Sequence, residues 1–119
     1  TRLILQPNIH AKVIREWAMR NNWAILDEVI LKEDDKIYEI LVLQRGEMSL
    51  SEQEILLGAN LMANKNEVFI EKWSKEIDNW KRILTSIDRA EDSKEIVQKR
   101  QDLNYLIKLV EGALNNEER

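Results

Sequence analysis

Chemistry in this chain begins at Gln6-Pro7-Asn8, two amides around the only proline. Leu3-Ile4-Leu5 before them is an apolar run that reads as a strand covered on both faces, as in a parallel sheet. In open α/β sheets, ligands bind outside the carboxyl ends of strands, and this elbow stands at such an end. There the amides of Gln6 and Asn8 can donate to or accept from a polar ligand. A structural role is also open: Pro7 starts a helix and Asn8 caps it with its side-chain oxygen. His10, the only histidine, either touches a substrate from the first helical turn or lies on the surface. Glu28 and Glu39 are expected on one face of a hairpin, as paired carboxylates would be, though a cross-strand partner such as Lys32 explains them more simply. No ligand-spaced residues support a metal. Lys12, Arg15 and Arg20 lie on the polar side of the helix that follows the elbow. They form either a solvated face or a minor phosphate-contacting patch. Trp73 and Trp80, seven residues apart, suit core packing, with base stacking as the alternative.

These residues need elements to hold them. The strand covers Arg2 to Gln6. A helix from Asn8 to about Asn21 places Val13, Ile14, Trp17 and Ala18 on one face at helical spacing. Trp23 to Lys32 and Ile37 to Gln44 read as an antiparallel hairpin closed at Asp34-Asp35. Its Glu28, Ile30 and Lys32 should share a face with Ile37, Glu39 and Leu41. Both faces are mostly apolar, so cover is expected on both. After Met48 the pattern is helical, with segments at about 51–63, 66–87 and 92–115. Ser51 with Glu54 is a capping box, as is Asn64 with Glu67, and Asp92 with Glu95 resembles one. Ile70, Trp73, Ile77, Trp80, Leu84 and Ile87 form a heptad seam. Ile96, Leu103, Ile107, Val110 and Leu114 form another, with Arg100 at its polar position. The short link "DRAEDS" makes these two helices antiparallel. The fold class is therefore α/β followed by all-α, with residues 1–47 the sheet-bearing part and 48–119 a helical, coiled-coil part.

Composition narrows the function. The 119 residues are 44% apolar and 34% charged, which excludes a disordered chain. There is no cysteine, so disulfides, thiolate metal sites and a cysteine nucleophile are excluded, and a cytoplasmic setting is expected. No run suits a membrane helix. Net charge is −4, and the first 46 residues carry seven basic and seven acidic side chains, so the excess acidity lies beyond them. Nucleic acid cannot be held here by bulk charge and would need a local basic patch. There is no G-x-G-x-x-G, P-loop or G-x-S-x-G.

The string "RLILQPNIHAKVIREWAMRNNWAILDEVILKEDDKIYEILVLQRG" resembles the bacterial tRNA (adenine-N1)-methyltransferase family of the TrmK type. Leu3-Ile4-Leu5-Gln6-Pro7-Asn8, Arg15 with Trp17, Asp27-Glu28 and Ile37-Tyr38-Glu39 carry the likeness. The later "EILLGANLMANKNEVFIEKWSKEIDNWKRIL" continues it through Gly58, Lys65-Asn66 and Val68-Phe69. The resemblance implies a Rossmann-like class I domain binding S-adenosylmethionine and a coiled-coil domain that helps grip tRNA. In such enzymes the fifth strand is followed by a helix and an antiparallel hairpin, giving the order first, third, second for the three strands here. The chain is expected to start at that fifth strand, with the Gly-rich cofactor loop and the acidic ribose ligand upstream. The lack of an initiator Met agrees with this. On this reading Asn8 and Gln6 position the adenine. Pro7 and His10 line the substrate pocket, and Lys12, Arg15 and Arg20 contact tRNA. The fragment alone would be inactive. The rival reading is a non-catalytic interaction module whose helical hairpin binds a protein.

Overall fold

A computed structural model of the chain describes residues 1–8 and 10–115. Three strands, β1 (Arg2–Leu5), β2 (Trp23–Glu33) and β3 (Lys36–Arg45), form one sheet in the order β1-β3-β2. β3 is antiparallel to both neighbours, pairing Arg2 with Gln44 and Leu5 with Leu41 on one side, and Glu28 with Leu41 and Ile30 with Glu39 on the other. This is the strand order and the face-sharing expected from the sequence. Asp34 and Asp35 both take positive φ (52° and 67°) in the two-residue loop, the backbone twist a tight hairpin requires. A bulge between Ile25 and Asp27 shifts the register of β2.

One face of the sheet is covered by α1 (Ala11–Arg20). Ala11, Ala18, Leu41 and Leu43 are buried there, ringed by Leu3, Leu5, Ile14, Trp23, Ile25 and Met48. The inward stripe of α1 is thus Ala11, Ile14, Arg15 and Ala18. Val13 and Trp17, expected on that stripe, are exposed instead. Small side chains at −4 and +3 from Arg15 leave space for its guanidinium, and that placement rotates Val13 and Trp17 outward. The opposite face carries Ile4, 72% exposed, and Val29, 42% exposed. Cover on both faces is therefore not seen among the described residues.

The segment expected as one helix over 51–63 is two: α2 (Glu52–Leu57) and α3 (Ala59–Asn64), broken at Gly58. The Ser51–Glu54 capping box is formed in both directions. α4 (Glu67–Ile87) starts from Asn66, whose side chain accepts from the Phe69 amide at 2.9 Å, rather than from Asn64. Lys65 at φ 45° turns the chain after α3, so Asn64 still belongs to that helix. α5 (Lys94–Asn115) is capped by Ser93, which accepts from Ile96 N at 3.2 Å, rather than by Asp92. Asp92 instead faces Arg100 at 3.4 Å.

The chain divides into two compact units, Thr1–Phe69 and Ile70–Arg119. The sequence reading put the boundary at 47/48, but α2 and α3 are bonded back onto α1 and β2. In the second unit, Trp73 and Ile77 on α4 and Leu103, Ile107, Val110 and Ala113 on α5 are buried. Trp80, Leu84 and Ile87 are half-buried, while Ile70 is exposed. Lys81 lies 3.4 Å from Glu111, and Asp88 lies 3.2 Å from Arg100, so α4 and α5 run in opposite directions. Arg100, the polar seam residue, is explained by its two aspartates.

Candidate functional site

β1 ends at Leu5 and the chain leaves the sheet through Gln6, Pro7 and Asn8. The expected cap by Asn8 does not form. His10 occupies the N-cap position, with φ −62° and ψ 132° and no side-chain cap bond. Asn8 sits two residues earlier, in a bend. Gln6, Asn8 and His10 are exposed and Pro7 is half-buried. The elbow therefore presents two primary amides and an imidazole that do no capping work. Among the described residues, the side chains of Gln6 and Asn8 have no hydrogen-bond partner, so both amides are available to a ligand.

The three basic residues expected as a patch separate. Lys12 is exposed and approaches Glu16 at 4.0 Å, a surface pair of small energetic weight. Arg20 is exposed in the last turn of α1. Arg15 is 1% exposed and points into the protein. Its Nε donates to Glu28 Oε2 at 2.6 Å and its Nη2 to Glu39 Oε1 at 3.0 Å. Its Nη1 donates to the carbonyls of Ile55 and Leu56 at 3.0 and 3.1 Å. The carboxylates read as an acid/base pair or as partners of Lys32 are thus bridged by a guanidinium, whose planar fork suits several acceptors at once.

This cluster organises the helix break. Ile55 and Leu56 offer the carbonyls that a helix end leaves without intrahelical donors, and Arg15 supplies the donors. Glu28 Oε1 accepts from Asn60 N at 3.0 Å, an amide of the first turn of α3. The ion pair thus closes α2 with its cation and opens α3 with its anion. Gly58 lies between them at φ +96°, and a Cβ there would stand 2.6 Å from Arg15 Nη2 and 2.8 and 3.0 Å from the Glu28 oxygens. Gly58→Ala should therefore cost about 1–3 kcal/mol of stability, read by denaturant unfolding of the first unit. A variant within 0.5 kcal/mol of the parent would show that the cluster gives way freely, with ~0.5 kcal/mol being the usual spread of neutral surface changes.

Sequence reasoning missed the inward Arg15 because an arginine on a helix defaults to the solvated side. The available signal was Ala11 and Ala18 flanking it at helical spacing. Of the other glycines, Gly46 has room to spare: a Cβ there would meet Ala24 at 3.5 Å, an ordinary contact.

The comparisons with known proteins agree with this architecture. The model of the TrmK family, described as tRNA (adenine(22)-N(1))-methyltransferase, matches residues 1–112. A tRNA (adenine(22)-N(1))-methyltransferase of Bacillus subtilis is 38% identical over 121 residues, covering 97% of this chain and 51% of the relative. Among solved structures, an uncharacterized protein of Listeria monocytogenes superposes with a TM-score of 0.92 at 41% identity, covering 97% of this chain and 51% of that one. The B. subtilis m1A22 tRNA methyltransferase TrmK superposes with 0.89 at 40% identity, covering 96% and 51%. A Streptococcus pneumoniae relative solved with S-adenosyl-L-methionine gives 0.81 at 33% identity, covering 96% and 47%. The chain spans about half the length of the relatives it matches. With the family model running through sheet, elbow and helices alike, the chain belongs to the TrmK family of tRNA (adenine(22)-N(1))-methyltransferases.

Proposed function

We propose that this chain is part of an S-adenosylmethionine-dependent enzyme that methylates N1 of an adenine in tRNA. The observation that carries the proposal is the family match over residues 1–112. The strand order β1-β3-β2, with β3 antiparallel to both neighbours, supports it as the closing end of a class I methyltransferase sheet. On this reading residues 1–47 end the Rossmann-like catalytic domain, residues 48–69 pack back onto it through α2 and α3, and residues 70–119 form the helical domain. α4 and α5 make an antiparallel coiled-coil hairpin that helps grip tRNA. The setting is cytoplasmic, and no helix among the described residues is long and apolar enough to cross a membrane.

The cofactor supplies the methyl group, and residues outside this chain hold it. What these residues contribute is orientation. Adenine N1 carries a lone pair at neutral pH, so no strong base is required. The base must be unstacked and its Watson–Crick edge held in line. The amides of Asn8 and Gln6 are the groups that hold that edge, with Pro7 and His10 lining the pocket. Lys12 and Arg20 meet the RNA backbone, and Arg15 acts within the fold.

The decisive experiment is methyl transfer to a tRNA transcript by the full-length protein, with the modified position mapped. Transfer to N1 of one adenine is expected, and no transfer would sink the proposal. By calorimetry, the 119-residue chain alone should show no micromolar binding of S-adenosylmethionine. In the full-length enzyme, Asn8→Ala and Asn8→Asp should both lower kcat/KM by about ten-fold or more, a loss of roughly 1.4 kcal/mol in transition-state stabilisation. Affinity for the cofactor should stay level. Because Asn8 caps nothing, neither change should move stability by more than about 0.5 kcal/mol. Full activity in Asn8→Asp would remove the amide from the mechanism.

A further inference from the structure

At the end of α1 opposite the elbow stands a surface stack that the elbow chemistry does not use. Trp17, 37% exposed, stacks on Trp23 with ring centroids 6.3 Å apart and planes at 25°. The guanidinium carbon of Arg45 lies 4.7 Å from the centre of the Trp23 ring. Trp23 and Arg45 are cross-strand partners, so the backbone ladder itself sets the Arg–Trp layer. The surroundings are polar and cationic. Arg20 is exposed one turn on from Trp17, and Asn21 Nδ2 donates to the Trp17 carbonyl at 2.8 Å. Gly46 N donates to Asn22 O at 2.9 Å, bringing Arg45 and its neighbour against the same corner.

Trp23 has a packing role, since it borders the core on the α1 face. Trp17 and Arg45 are less readily explained that way. α1 buries an arginine while leaving over a third of a tryptophan at the surface, and Arg45 beyond it is exposed. Resting on the tRNA-methyltransferase reading above, we infer that the Trp17–Trp23–Arg45 stack is a platform for an unstacked base of the RNA substrate, with Arg20 and Arg45 beside it for phosphate. Bases stack on aromatic faces and on guanidinium planes regardless of sequence, and cations beside the ring add backbone attraction. Within α1, Trp17 lies six residues beyond Ala11, about 9 Å at the helical rise, so elbow and stack stand at opposite ends of one short helix.

The test uses the full-length protein and a tRNA transcript, reading both the Kd for tRNA and the steady-state constants. Trp17→Ala should raise Kd and KM for tRNA ten-fold or more, with kcat, cofactor affinity and Tm held. Trp17→Phe should recover most of the loss, and the fluorescence it lacks relative to the parent should be the part quenched by tRNA. Unchanged Kd and KM in Trp17→Ala would overturn the inference. So would a fall in Tm with tRNA binding intact, because the ring would then be covered by protein. If Trp17→Ala does not fold, Trp17→Phe decides through the quenching: none means no base on the ring. A parent that methylates tRNA while Trp17 proves silent refutes only the platform. A parent that binds tRNA through Trp17 without methylating it refutes only the enzymatic reading. A parent that neither binds nor methylates tRNA refutes both.

Discussion

Arg15→Ala should destabilise the first unit by about 3–5 kcal/mol. The change takes their shared guanidinium from two buried carboxylates, Glu28 at 5% and Glu39 at 8% exposure. It also leaves the carbonyls of Ile55 and Leu56 without the donor that now reaches them. Arg15→Lys should recover only part of this. An ammonium keeps the charge but not a planar fork that meets four acceptors on three sides. Denaturant unfolding of the two variants measures the difference. A loss under ~1 kcal/mol in Arg15→Ala would mean that water enters and rehydrates the carboxylates, so that the buried cluster is not a structural tie.

Trp73→Ala should cost about 3–5 kcal/mol in the helical unit. Trp73 is 5% exposed on α4 and sits 6.5 Å from Trp80, ring centre to ring centre. Its ring also carries the Lys72 ammonium at 4.7 Å. A ring this deeply covered is core, and base stacking, the alternative open in the sequence, is left only to the half-buried Trp80. The informative companion is Trp73→Phe. The indole Nε1 is buried without a hydrogen-bond partner among the described residues, so tryptophan here carries an unmet donor. Phenylalanine loses area but removes that donor, which by itself costs about 1–3 kcal/mol. Trp73→Phe should therefore fall far short of the alanine loss. An equal loss in both variants would show that the indole N–H finds a partner in solution.

Local chemistry was legible wherever one stretch decided the outcome. The Asp34-Asp35 turn fixes its hairpin through two positive-φ residues, and the Ser51–Glu54 box fixes the start of α2 within four positions. The strand order followed from the family resemblance, not from local signals. What stayed hidden depended on residues meeting across the chain. Arg15 faces inward only because Glu28, Glu39 and the end of α2 converge on it, and none of these is its neighbour in sequence. The same meeting turns Val13 and Trp17 outward, against the helical pattern, and splits the expected 51–63 helix at Gly58. The caps at Asn66 and Ser93 were missed for a smaller reason: each helix offers two adjacent polar candidates within two residues, and propensity does not choose between them. At the elbow the residues were legible but not their job, since Pro7 and Asn8 suit a helix start that the chain delays to His10.

The partners of Arg15 also set an order of events for a chain emerging from the ribosome. Glu28 follows it by 13 residues, Glu39 by 24, and the Ile55 and Leu56 carbonyls by 40 and 41. Synthesis proceeds at roughly 5–20 residues per second, so seconds pass between the appearance of the arginine and of its last acceptors. Over that interval α1 and the hairpin can assemble only with one face of the guanidinium still open to water. The contacts that finish the fold are therefore the long-range ones, whose closure is the slow part of forming a chain of this topology. α2 and α3, too short to persist alone, gain their structure at that closing step. Pulse-labelled amide exchange would then show the Asn60 amide protected later than the β2–β3 ladder.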